Sequence, residues 1–175
     1  MTTTLVLGGA RSGKSAFAES LLAAEPGVEY VATARADPDD TDWQARIAAH
    51  QARRPVGWHT VETQDVAQVL RSGTAAALID SVTSWLTATM DTAGIWREAP
   101  GSAAGLGVAV DAFVDAWSAT LRRTVAVSDE IGLGVVPEWP SGRLFRDTLG
   151  LLNQGLAAAA DEVYLVVAGQ PMKLK

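Results

Sequence analysis

Short apolar runs alternate with longer stretches of helical periodicity along most of the 175 residues. Residues 4–7, 28–34, 58–62, 75–80, 124–130 and 161–168 each read as a strand, bounded by Gly, Pro or polar turn residues. Between them the spacing predicts helices over 16–24, 42–54, 65–71, 84–90, 106–123 and 141–160. The 42–54 helix carries Trp43, Ile47 and Ala48 on one face and stops at Pro55. Asp65 is a good N-cap for 65–71. Val110, Phe113, Val114, Trp117 and Leu121 form the apolar face of 106–123. Residues 91–105, punctuated by Gly94, Pro100 and Gly101, read as a mobile loop, and 131–137 as a flexible segment. Past the Gly169-Gln170-Pro171 turn, 172–174 predicts an antiparallel edge. Strand–helix alternation of this kind predicts one α/β domain over 1–175, with a mostly parallel sheet and helices on both faces. Ligands of such folds bind at the carboxyl ends of the strands. There the chain places residues 8–15, Ala32-Thr33-Ala34, Asp80 and Asp129-Glu130 on one rim.

The pattern is organised around Gly8-Gly9-Ala10-Arg11-Ser12-Gly13-Lys14-Ser15, which is G-x-x-x-x-G-K-[ST] between a predicted strand and a predicted helix. Gly8 and Gly13 let the backbone turn its N–H groups toward phosphate oxygens, and the following helix adds partial positive charge. Lys14 reaches the β- and γ-phosphates, and the Ser15 hydroxyl is a Mg²⁺ ligand. Asp80 ends an apolar run, where P-loop folds often hold the acid for Mg²⁺ or its water. The same position also suits a helix N-cap, because Ser81-Val82-Thr83 follows. Asp129 and Glu130 are both candidates for a metal ligand or a base, and the sequence does not separate them.

A second constellation lies on the 42–54 helix. Arg46, Arg53 and Arg54 stand at −4, +3 and +4 from His50, one helix surface apart. Neighbouring guanidinium groups disfavour imidazolium and bind phosphate oxygens bidentately. This suits His50 as a nucleophile toward a phosphate; a solvated histidine on an Arg-rich face is the plainer reading. His59, beside Trp58 on a strand, reads as structural, and the six tryptophans as core and interface.

Composition narrows the classes. A formal charge of −6 disfavours a general nucleic-acid or membrane-surface binder. With no cysteine there is no disulfide, thiolate metal site or Cys nucleophile. No apolar run approaches the ~20 residues of a membrane span, and a strand starts almost at once, so a cytoplasmic protein without a signal peptide is expected. There is no N-K-x-D segment of the kind that reads guanine in regulatory GTPases, and no basic stripe for a nucleic-acid motor. From the residues alone, a P-loop kinase of some small molecule and a nucleotide-dependent switch or ATPase both remain open.

The chain resembles the bifunctional adenosylcobinamide kinase / adenosylcobinamide-phosphate guanylyltransferases of cobalamin biosynthesis. The residues that carry the resemblance are 8–15, Tyr30-Val31-Ala32-Thr33-Ala34, Arg46-Ile47-Ala48-Ala49-His50 with Arg54-Pro55, and Trp58-His59-Thr60-Val61-Glu62. Asp129-Glu130-Ile131-Gly132-Leu133-Gly134-Val135-Val136-Pro137 and Ala160-Asp161-Glu162-Val163 complete it. The P-loop alone is unspecific; its combination with R-x-x-x-H and E-x-G-x-G-x-V-P is specific. The resemblance implies a RecA-like P-loop fold and a homo-oligomer, a trimer. It implies phosphorylation of adenosylcobinamide by ATP or GTP with Mg²⁺. It also implies transfer of GMP from GTP, through a guanylylated histidine, to adenosylcobinamide phosphate. The histidine carries over to His50. Nucleotide contacts carry over to Gly8, Gly9, Ala10, Arg11, Ser12, Gly13, Lys14, Ser15, Ala32, Thr33, Ala34, Gln51, Ala52, Arg53, Arg54, Glu62 and Asp80, and metal contacts to Ser15 and Asp80. Two positions depart from the family's pattern: Asp80 stands where some relatives have Glu, and Ser128-Asp129 where others have Thr-Asn before the shared Glu130.

Overall fold

The structure is a computed structural model that describes residues 2–34, 48 and 54–175. The described residues contain β1 (Thr3–Gly8), α1 (Lys14–Leu21), β2 (Val28–Ala32), β3 (His59–Glu62) and α2 (Val66–Ser72). There follow β4 (Ala76–Asp80), α3 (Val82–Ala93), α4 (Ser102–Ala119), β5 (Thr124–Asp129), α5 (Pro140–Ala159), β6 (Glu162–Val167) and β7 (Gln170–Lys173). The strands form one sheet in the order β3-β2-β4-β5-β1-β6-β7. All neighbours are parallel except β7, which returns antiparallel along β6. The mostly parallel sheet, the helices on both faces and the antiparallel edge therefore stand as the sequence predicts. The predicted helix over 42–54 lies outside the described residues, apart from Ala48 and Arg54.

The inner strands are buried on both faces, which is why they read as continuous apolar runs rather than alternating ones. On one face α1 places Phe17, Ala18, Leu21 and Leu22 against Val6, Tyr30, Leu78, Val125 and Val127. On the other, α2 to α5 supply Leu70, Trp85, Phe113, Trp117 and Leu152 to the larger core. Trp85 and Trp117 are core residues, and the indole of Trp117 donates to Leu156 O at 3.0 Å. Trp96 and Trp139 are exposed, and so is His59 on the edge strand β3, which is no core histidine.

Residues 91–105 correct the expectation of a mobile loop. Helix α3 continues to Ala93, and Gly94, at φ 75°, closes it as a left-handed cap. A 3₁₀ turn over Ile95–Arg97 buries Ile95, and Gly101, at φ 78°, opens α4. Ala99 N donates to Gly94 O at 3.2 Å, and Ser102 N to Ala99 O at 3.0 Å. The glycines here permit tight hydrogen-bonded turns instead of loosening the chain. At its other end α4 stops at Ala119, so Leu121 leaves the apolar face and stands exposed.

That early stop turns Arg122 inward, where it is 2% exposed. Its guanidinium donates to Ala75 O, Val69 O and Glu29 Oε2, each at 2.7 Å. Gly73 leaves the room: a Cβ there would lie 1.8 Å from Arg122 Nη1. One side chain thus ties the end of α2 to the starts of β4 and β2. Arg122→Met is expected to cost about 3 kcal/mol, because it removes the guanidinium from Ala75 O, takes one of the two donors from Val69 O, which keeps Gly73 N at 3.1 Å, and breaks the ion pair with Glu29. Urea unfolding checks this; an unchanged midpoint would show that the clamp is redundant.

Candidate functional site

The loop after β1 is built to receive an anion. Gly8 passes so close to β6 that a Cβ would meet Val166 O at 2.7 Å. Arg11, at φ 54°, and Gly13, at φ 93°, take left-handed conformations, which turns successive N–H groups into one concavity. Gly13 is also the N-cap of α1 and offers no side-chain cap, which leaves the positive end of the helix able to receive an anion, with only a long contact from Lys14 N to Ser12 Oγ at 3.4 Å. The β6–β7 turn braces the loop from outside. Gly169 N donates to Ser12 O at 2.7 Å, and a Cβ on Gly13 would lie 3.1 Å from Gly169 Cα. This brace explains what the antiparallel edge does for the site.

Lys14 curls over the loop, donating to Gly9 O at 3.2 Å and pairing with Asp129 Oδ1 at 2.6 Å. The two acids at the end of β5 are thereby distinguished. Glu130 turns back to accept from Gly132 N at 2.6 Å, closing the segment behind it. Asp129 alone of the two meets the P-loop lysine. Its backbone is held by Thr83 Oγ1, which accepts from Asp129 N at 2.9 Å, and by Asn153 Nδ2, which donates to Asp129 O at 3.1 Å. An anionic ligand must compete with Asp129 for Lys14. Asp129→Asn is therefore expected to tighten nucleotide binding roughly 2- to 5-fold, the scale of a partly exposed ion pair. Titration with a fluorescent nucleotide checks it; weaker binding would mean that Asp129 serves the ligand instead.

Asp80 ends β4, separated from the P-loop strand by β5. It projects from the same sheet face as Leu78, and Asp129 from the same face as Val127, so both acids lie on the side of α1. One strand spacing across and two residues along put their Cα atoms about 8 Å apart. The N-cap alternative for Asp80 is overturned: Ser81 caps α3, its Oγ accepting from Ser84 N at 3.1 Å. The Asp80 carboxylate is instead the acceptor of the Tyr30 hydroxyl. Burial first, then the Asp80 charge, push the Tyr30 phenol far above its ordinary range, so it remains a protonated donor. The guanidinium of Arg54 lies 3.3 Å from the Tyr30 ring centroid and donates to Thr60 Oγ1 at 2.9 Å.

Thr33 is fully buried, and its hydroxyl serves the fold. It donates to Ser81 O at 2.6 Å and accepts from Ser81 N at 2.9 Å, while its carbonyl accepts from the Gln64 amide. Ala32 O accepts from Thr63 N at 3.1 Å. Thr33 thus ties the end of β2 to the end of β4, and residues 32–33 tie it to the segment after β3. Glu62 is exposed at the end of β3. Four strand spacings separate β3 from β1, so Glu62 stands roughly 19 Å along the rim from Gly8. Arg46, His50, Gln51, Ala52 and Arg53 lie outside the described residues. Sequence reasoning missed Tyr30, Thr83 and Asn153, because their partners lie 24 to 50 positions away; no local signal marks them.

Oxygen donors dominate the rim, the chemistry that suits Mg²⁺. Among the described residues no group of three or more His, Cys, Asp or Glu forms a protein cage for a metal. A hydroxyl, one or two carboxylates and substrate phosphates are the usual holders of Mg²⁺, and Ser15 with Asp80 fits that pattern. No helix of the described residues is long and apolar enough to cross a membrane.

The family model for CobU, cobinamide kinase / cobinamide phosphate guanyltransferase, matches residues 4–174. The chain is 41% identical over 177 residues to the bifunctional adenosylcobalamin biosynthesis protein CobP of Pseudomonas aeruginosa, covering 98% of this chain and 96% of that one. It is 38% identical to the corresponding CobU protein of Salmonella typhimurium and 37% to that of Escherichia coli, with 98% of each chain covered. A solved structure of a prototypical ATPase from the type III secretion system of pathogenic bacteria superimposes on 94% of the chain, with a TM-score of 0.56 and 13% identity. The chain spans about half (51%) of that ATPase chain, and the likeness is one of fold, consistent with the RecA-like architecture.

Proposed function

The chain belongs to the cobinamide kinase / cobinamide phosphate guanyltransferase family, and from that premise we propose that it performs both reactions. In the first, the hydroxyl of the aminopropanol arm of adenosylcobinamide attacks the γ-phosphorus of ATP or GTP. The bond from the γ-phosphorus to the β–γ bridging oxygen breaks, and the nucleoside diphosphate leaves. In the second, a nitrogen of His50 attacks the α-phosphorus of GTP and releases pyrophosphate. A phosphate oxygen of adenosylcobinamide phosphate then takes the GMP from His50 and gives adenosylcobinamide-GDP.

The observation that carries this reading is the convergence of residues 8–15, Lys14, Asp129 and Asp80 on one rim of a chain that matches the family almost end to end. Phosphoryl transfer is mainly positioning and charge neutralisation. The loop N–H groups and the α1 terminus grip the phosphates, and Lys14 leaves Asp129 to follow the γ-phosphate. Ser15 and Asp80 would hold Mg²⁺, which when bound neutralises phosphate charge. Asp129, once released, stands where it can accept the proton of the attacking hydroxyl. The end of the rim with Arg54 and Glu62, far from the P-loop, suits nucleotide contacts remote from the γ-phosphate, together with Gln51, Ala52 and Arg53. We further place the protein in the cytoplasm as a homotrimer, on the resemblance. Exposed Leu133, Val135, Trp139 and Leu151 offer apolar surface for such an assembly.

The test is incubation with adenosylcobinamide, Mg²⁺ and GTP labelled at either the α- or the γ-phosphate. Covalent label on the protein from the α-position alone, with adenosylcobinamide-GDP as product, is expected. Hydrolysis without product would return the protein to the class of P-loop ATPases.

A further inference from the structure

Tyr30 takes no part in the chemistry written above, yet it sits between two of its components. It lies on β2, two residues before the strand end, and is 3% exposed. Leu78 is its register partner on β4, and Asp80 lies two residues further along the same face. Two residues of strand measure about 6.6 Å. A phenol ring standing on the sheet and leaning along the strand bridges that gap, so the hydroxyl of Tyr30 donates to Asp80 Oδ2. Phe at this position would fill the same volume and make no such bond. On its other side the ring is covered by the Arg54 guanidinium, at 3.3 Å from its centroid, and Arg54 is itself fixed to Thr60 on β3. Thr60 is the register partner of Tyr30. Three adjacent strands and the chain entering β3 thus meet on one carboxylate.

We propose that Tyr30 is a positioning residue for Asp80, holding its carboxylate in the orientation that receives Mg²⁺, with Arg54 clamping the ring from the opposite side. The proposal rests on the reading of Asp80 as a metal-holding acid. Ligand groups need outer partners to fix their rotation, and loss of such a partner commonly costs 10- to 100-fold in metal affinity. The described rim supplies no cage of further acids to hold the ion if the Asp80 carboxylate turns away. The phenol gives that carboxylate a fixed donor without bringing a second charge into the site. Arg54, on the chain leading from His50 to β3, connects this orientation to the segment that carries the second reaction.

The experiment compares wild type with Tyr30→Phe, Asp80→Asn and the double variant, each checked by circular dichroism and thermal melting. Mn²⁺ binding in the presence of a non-hydrolysable nucleotide is read by electron paramagnetic resonance, and the metal dependence of the kinase reaction by titration. Tyr30→Phe is expected to raise the metal half-saturation about 10-fold, the lower end for loss of a ligand's outer partner. The nucleotide KM at saturating metal stays near wild type. In the Asp80→Asn background, Tyr30→Phe should add nothing. If Asp80→Asn weakens Mn²⁺ binding while Tyr30→Phe only lowers the melting temperature, Tyr30 is a packing residue and the proposal fails alone. If Asp80→Asn itself leaves Mn²⁺ affinity unchanged, the reading of Asp80 falls and the proposal falls with it.

Discussion

Lys14→Ala is expected to lower the kinase rate by two or more orders of magnitude, the scale seen on removing one preorganised electrostatic contact to a transition state. Lys14 is the cation placed over the loop, held by Gly9 O at 3.2 Å and Asp129 at 2.6 Å until phosphate arrives. Its flexible stem lets the ammonium move with the transferred group while the backbone N–H groups stay put. The fold should survive. The Lys14 side chain is 13% exposed and its partner Asp129 27%, so the unpaired carboxylate can be hydrated. Steady-state rates with adenosylcobinamide, together with a normal melting curve, check the expectation. Because Asp129 then has no cation to compete for, adding Asp129→Asn to Lys14→Ala should not tighten nucleotide binding as it does alone. Wild-type turnover in a folded Lys14→Ala protein would remove Lys14 from the mechanism.

His50→Ala is expected to abolish guanylyl transfer and leave phosphorylation of adenosylcobinamide largely intact. A neutral imidazole is a competent nucleophile toward an α-phosphate. If their sequence spacing sets Arg46, Arg53 and Arg54 beside His50, their guanidinium groups favour a neutral imidazole and attract the phosphates that it attacks. The kinase components proposed on the described rim form a separate set, from residues 8–15 to Asp80 and Asp129. The two reactions should therefore part in this variant. Label from α-labelled GTP should be lost, and the bond it formed in wild type should be labile to acid and stable to alkali, as a phosphoramidate is. Retained guanylyl transfer would refute the nucleophile. Equal loss of both reactions in a folded protein would make His50 a nucleotide-positioning residue.

Element identity was legible because each element carries a local signature. The inner strands are buried on both faces and read as apolar runs; Asp65 caps α2 through Gln68 N at 3.0 Å, as its position suggested. The phosphate loop was legible for the same reason, since glycine, lysine and serine at fixed spacing between a strand and a helix are a local matter. The stretch 91–105 misled because glycine marks both a loosened chain and a tight left-handed turn. Composition does not distinguish them, whereas the φ angles of Gly94 and Gly101 do. Leu121 misled because helical periodicity runs on past the point where Arg122 finds its three acceptors.

The roles of the acids divide along the same line. That Asp80, Asp129 and Glu130 stand at strand ends follows from the pattern of the chain itself. Which acid meets the P-loop cation, which one closes its own loop and which one accepts a phenol depends on the order β3-β2-β4-β5-β1. That order brings together strands far apart in the chain. Local propensity acts over a few residues, whereas strand order and register arise only when the sheet closes over its two cores. The sequence therefore determined the elements, the phosphate loop and the family, and the tertiary structure alone decided that Lys14 faces Asp129 and that Tyr30 holds Asp80.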